Sequence, residues 1–100
     1  MAKPDDNRIP LDVPIKRGEQ RITALELRRP SAGELRGIHL AELIQLDVAS
    51  LIRLIPRISM PSLTEPEVQA MDPADLLAVG TKAVGFLLQK DMQKQASLIA

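Results

Sequence analysis

The chain has 100 residues, in which 13 Lys and Arg balance 13 Asp and Glu, and it holds no Cys, Trp or Tyr and a single Phe. Without Cys there are no disulfides, thiolate zinc sites or thiol nucleophiles. Zero net charge opposes general nucleic-acid binding, and the near-absence of aromatics removes the stacking platform that single-strand binders use.

The length fits one domain that buries about 60–65% of the surface its unfolded chain exposes. Its core has to come from aliphatics, which are plentiful at 45% hydrophobic residues. Thin packing is expected, with partners or self-association supplying part of the stability. No apolar run is long enough to span a membrane, and residues 1–7 lack the apolar segment of a signal peptide.

Residues 1–8 read as a loose polar tail. Residues 9–15 alternate strictly, with Ile9, Leu11, Val13 and Ile15 on one face and Pro10, Asp12 and Pro14 on the other. The two prolines restrict this strand to a sheet edge or a lone hairpin. A polar turn centred on Gly18 leads to a second strand, with Thr23, Leu25 and Leu27 on one face. Joining the richer apolar faces requires an odd loop of three or five residues. It sets Leu11 opposite Leu25 and Ile9 opposite Leu27, because a one-residue slip reverses every side chain.

Ser31 and Glu34 sit at capping-box spacing and open a short helix over about 32–38. From Ile38 to Ile58 the residues Leu40, Leu43, Ile44, Val48, Leu51, Ile52 and Ile55 recur at helical spacing. Asp47 is placed to cap a fresh helix at Val48 and split the stretch in two. Pro56, with no amide for residue 52, ends it near 55–58. Thr64 and Glu67 form a second capping box, opening a helical turn that stops at Met71. Asp72, Pro73 and Asp75 are the clearest helix start in the chain. The final helix is predicted over 73 to about 94, with Leu76, Leu77, Gly80, Ala83, Val84, Leu87 and Leu88 as its stripe.

The fold class is therefore α+β. An N-terminal β-hairpin over 9–28 precedes a small bundle of three to four α-helices over 31–95, in a single domain 9–95 with a C-terminal tail 96–100.

Little chemistry is available. Ser31, His39 and Asp47 can be written as a triad by spacing, yet Ser31 and Asp47 serve as caps and nothing orders the three. His39 with Glu34 or Glu42 lacks the further ligands that a metal needs. No catalytic, cofactor or metal residues are assigned. Arg28, Arg29 and Arg36, and Arg53 with Arg57, read as solvated faces. What remains is surplus apolar surface. Leu46, Leu54, Val79 and Phe86 lie off the main stripes, and they either complete the core or form a binding patch.

Three segments carry a resemblance: Arg28-Arg29-Pro30-Ser31-Ala32-Gly33-Glu34-Leu35-Arg36, the run 46–59, and Leu63-Thr64 through Asp72-Pro73-Ala74-Asp75-Leu76. In this order, behind a Gly-centred hairpin, the chain resembles the tail assembly chaperones of Mu-like and related contractile-tailed phages over roughly residues 9–89. The resemblance implies a non-enzymatic protein of the bacterial host cytoplasm, absent from the mature virion. Its implied partner is the tape measure protein, kept soluble before tail-tube polymerisation, with itself and a frameshifted longer form as further partners. A minor structural tail protein acting through oligomerisation is the alternative. The final helix, through Leu77, Val84, Phe86 and Leu88, is the expected partner-binding element, by a helix-in-groove contact.

Overall fold

Two strands open the structure, β1 over Arg8–Arg17 and β2 over Gln20–Leu27, paired antiparallel. The computed structural model describes residues 7–88. The connection is a two-residue loop, because Arg17 pairs directly with Gln20 and Gly18 takes φ +61°, as the primed hairpin turns require. This corrects the expected odd loop. Near the turn Ile15 faces Ile22, whereas at the far end Ile9 faces Leu25. Between Pro10↔Ala24 and Ile15↔Ile22, the four residues 11–14 of β1 stand against Thr23 alone. This bulge shifts the register by three residues, an odd number. Ile22 and Leu25 therefore both reach the core, although they have opposite parity along β2. Val13 falls within the bulge and is exposed, not aligned with Ile9, Leu11 and Ile15 as the alternation predicts.

β1 is an edge strand, as its prolines demand; the sheet order is β1-β2-β3, with β3 only Ser59–Met60. Between β2 and β3 lie a 3-10 turn over Ala32–Leu35 and two helices, α1 (Leu40–Ile44) and α2 (Val48–Ile58). The split between them falls at Leu46, at φ +63°, and Asp47, whose carboxylate accepts the Ser50 amide at 3.0 Å. Pro56 sits two residues before the end of α2, where the missing amide costs one bond of the last turns. Helix α3 (Glu65–Gln69) starts at the Thr64–Glu67 capping box, and α4 (Pro73–Gly85) starts at Asp72, which accepts the Ala74 amide at 3.1 Å. In the described residues α4 closes at Gly85, short of the expected span; the continuation toward 94, like most of the expected N-terminal tail and all of the C-terminal one, lies outside them.

The core is aliphatic throughout. Ile9, Leu11, Ile15, Ile22, Leu25 and Leu27 line the inner face of the sheet, and Leu51, Leu54, Ile55 and Ile58 of α2 with Val79 and Ala83 of α4 close over it. Leu54 and Val79 thus complete the core, with Leu46 and Phe86 packed partly buried against it. At Gly80 an added Cβ would stand 2.7 Å from a Leu51 methyl, so α2 and α4 approach closely there.

Three polar side chains, Asp75, Arg17 and Arg28, tether the layers. Asp75 of α4 is 3% exposed, and its carboxylate accepts the backbone amides of Asp12 and Val13 at 2.8 and 2.9 Å. The two amides freed by the bulge are thereby satisfied from a helix more than sixty residues away. Arg17 makes a fork of two bonds to Glu67, at 2.9 and 2.7 Å, and a third to the Ser62 carbonyl, pinning the hairpin tip to α3. Arg28 makes a similar fork to Glu34 and also donates to the Arg57 carbonyl.

The Arg17 guanidinium and the Thr64 amide hold the Glu67 carboxyl near 2, down from an ordinary 4.5. Arg28 and the Ser31 amide hold Glu34 at the same level. Because the folded values are depressed, the stabilisation is complete above the unfolded value of about 4.5 and drains as pH falls toward 2. Denaturant midpoints should therefore be level above pH 5 and fall steeply below 4. Glu67→Gln should flatten part of that acid limb, and an unchanged limb would contradict the pairing. Both forks are partly open to solvent, so 1 M salt should also blunt the slope.

Candidate partner-binding surface

The polar groups picked out by sequence serve the fold. The Ser31 amide and hydroxyl donate to Glu34, and Asp47 caps α2. His39 is exposed at the start of α1 and makes no capping bond with its side chain. Ser31, His39 and Asp47 therefore stand at three separate element starts. Among the described residues no group of three or more His, Asp or Glu is placed to hold a metal ion. Arg28, Arg53 and Arg57, expected as solvated faces, turn back onto the chain. Arg57 donates to the carbonyls of Glu34 and Arg36 at 2.6 and 2.9 Å, and Arg53 to that of Gly37 at 3.1 Å. The linker between β2 and α1 is thus stapled to α2.

With the polar groups so occupied, the distinctive surface is apolar. Leu40, Ile44, Val48 and Leu77 are each 49–56% exposed. Leu40 and Ile44 are one turn apart on the same face of α1, and Val48 opens α2. The sequence periodicity puts all three on one helical face with Leu43, Leu51 and Ile55, and the structure divides that face. The left-handed Leu46 re-aims the chain, so that α1 buries only Leu43 while α2 buries Leu51, Leu54, Ile55 and Ile58. Asp47, recognisable as a cap, was the signal that one continuous face was not available.

The four expected contact residues divide. Leu77 is exposed, and Val84, two turns on along the same face, is half-buried. The line α4 buries is instead Asp75, Val79, Gly80 and Ala83, so Leu77 lies outside the core-facing stripe. Phe86 packs partly buried against the core beside an open groove of about 610 Å³, lined also by Ile9, Pro10, Thr81, Lys82 and Gly85. Leu88 is half-buried just past the helix. Leu77 sits one turn before Gly80, and Val48 one turn before Leu51, so both flank the close α2–α4 contact. No helix among the described residues is long and apolar enough to cross a membrane.

A small α+β fold that satisfies its polar groups internally and displays aliphatic positions on its helices suits a protein that works by contact with another chain. The sequence places it in a family: the chain belongs to the phage tail assembly chaperones, matching the family described as phage tail assembly chaperone proteins, E, or 41 or 14, over residues 8–88. It is similar to tail assembly protein E of Escherichia phage P2, at 48% identity over 88 residues, covering 88% of this chain and 97% of that protein. It is also similar to tail assembly protein E' of the same phage, at 49% identity over 83 residues, covering 83% of this chain but 58% of that protein. No solved structure matches. The resemblance read from the ordered motifs therefore holds, and the motif-bearing residues fall on caps and tethers that set the fold.

Proposed function

We propose that this chain binds the tape measure protein in the host cytoplasm, keeps it soluble before the tail tube polymerises around it, and is left out of the finished particle. The role is one of contact alone, with no bond made or broken. The observation that carries this reading is the set of exposed aliphatic positions Leu40, Ile44, Val48 and Leu77 on a protein of a tail assembly chaperone family. A long helical client with apolar stripes would be met by these positions in a helix-in-groove contact, and many weak copies along one client would gain occupancy through avidity. Val84, Phe86 and Leu88 would extend the surface along and beyond α4. The longer P2 relative, E', is what a second, extended form of such a protein would look like, so a frameshifted product and self-association belong to the same proposal.

The test is co-expression with the tape measure protein encoded by the same phage. The soluble fraction of that client should rise several-fold with the wild-type chain. It should fall back with Leu40→Ser/Ile44→Ser/Leu77→Ser, whose own melting temperature should move little because all three side chains are half exposed. A client equally insoluble with and without the chain would overturn the reading. Mass spectrometry of purified particles separates the structural alternative, since a minor tail component would be found there and a chaperone would not.

A further inference from the structure

The two edges of the sheet are treated differently. The β1 edge carries Pro10 and Pro14, is bent by the bulge, and has its Asp12 and Val13 amides taken by Asp75. These are the devices that keep an edge from pairing with another chain. The β2 edge has none of them. β3 pairs only with Glu26 and Leu27, and Pro61 follows at once. Among the described residues no strand lies beyond Gln20–Leu25, a stretch without Pro, Gly or bulge residue of its own. In an antiparallel strand alternate residues there turn their N–H and C=O groups outward. An open groove of about 490 Å³ runs along this stretch, from Gln20 and Arg21 at one end to Met60 and Pro61 at the other.

Arg21 is the charged residue that lines the turn end of the groove, and Arg8 and Glu26, of opposite sign, line its other end. Lys16 and Arg21 are direct cross-strand partners, so both side chains stand on the same outer face, and both are exposed. Like charges placed opposite each other destabilise a strand pair. Neither makes an ion pair within the described residues, whereas Arg17 and Arg28 do.

The geometry points to the β2 edge as a docking site for an extended segment of a partner polypeptide that carries carboxylates. The segment continues the line of β3, adds a strand against Gln20–Leu25, and places an acidic side chain over Lys16 and Arg21. This is strand addition, with main-chain bonds supplying affinity and the charge supplying selection. The site is separate from the helical surface of Leu40, Ile44 and Leu77, and the two stand or fall by different measurements.

The probe is a capped eight-residue peptide alternating valine and glutamate, with a valine and lysine peptide as its counterpart, titrated into the full chain and followed by amide NMR. The acidic peptide should shift the amides of Gln20–Leu25 and slow their hydrogen exchange, leaving α1 and α4 unmoved, and the lysine peptide should bind roughly five- to tenfold more weakly. In the surface variant Lys16→Glu/Arg21→Glu that preference should invert. Shifts confined to the helices, equal binding of the two peptides, or an unchanged preference in the variant would each overturn the proposal. So would edge amides whose protection rises with protein concentration before any peptide is added, since the occupant would then be a second copy of this chain.

Discussion

Asp75→Ala is expected to lower the free energy of unfolding by about 3 kcal/mol, because the two bonds lost are to a charged acceptor and such bonds contribute roughly 1.5–3 kcal/mol each. The lower part of that range applies, since Asp12 and Val13 are exposed residues whose amides water can partly serve once the carboxylate is gone. Asp75→Asn should recover less than half of the loss. It keeps one acceptor oxygen but turns an NH2 group toward the second amide, so a donor faces a donor. Asp72→Ala is the natural comparison, because Asp72 is an ordinary N-cap whose removal costs about 1 kcal/mol. Urea midpoints would rank the three variants. Hydrogen exchange would localise the effect, with the Asp12 and Val13 amides speeding up by far more than those of β2. If Asp75→Ala were no worse than Asp72→Ala, the bulge would not be held by this carboxylate.

That interaction also explains what the sequence could and could not reveal. Helix starts were legible because capping is local: Asp47 with Ser50, Thr64 with Glu67, and Asp72 with Pro73 each lie within a few residues of one another. The strands, the hairpin and the edge position of β1 were legible for the same reason. The register was not, since the bulge that sets it is held by a residue 62 positions away that reads locally as one more acid in a first turn. The Arg17 fork to Glu67 spans 50 residues and was equally hidden. For the candidate surface, ordered motifs disclosed the family, and Leu77, read both as part of the final helix's stripe and as an expected contact residue, is exposed. Leu40, Ile44 and Val48 were placed on one helical face with Leu43, Leu51 and Ile55 but are exposed where those are buried, because helical periodicity assumes a constant phase and Leu46 resets it. Leu54 and Val79 were off the periodic stripes yet are fully buried, because a core between a sheet and two closely packed helices accepts a wider arc than one stripe.

Gly80→Val is expected to cost about 3 kcal/mol, and Gly85→Ala to gain up to about 1 kcal/mol, although both glycines lie in α4 and helix propensity alone would favour replacing either. At Gly80 the new Cβ would stand 2.7 and 3.2 Å from the two Leu51 methyls and 3.4 Å from a Leu46 methyl. Leu51 is 2% exposed, so its methyls have no solvent to swing into. Valine adds two further carbons at the same place. At Gly85 an added Cβ meets nothing within 4 Å among the described residues. Leu51→Ala in the Gly80→Val background should relieve the crowding. The double variant should then be more stable than the sum of the single losses by about 1–2 kcal/mol, the size of coupling that residues in contact show. Strict additivity in thermal denaturation would mean that this contact does not set the α2–α4 spacing. The same spacing fixes where Val48 and Leu77 stand, each one turn before the contact on its own helix. Under the proposed function, Gly80→Val should therefore also reduce client solubilisation in co-expression, at temperatures where the variant is still folded.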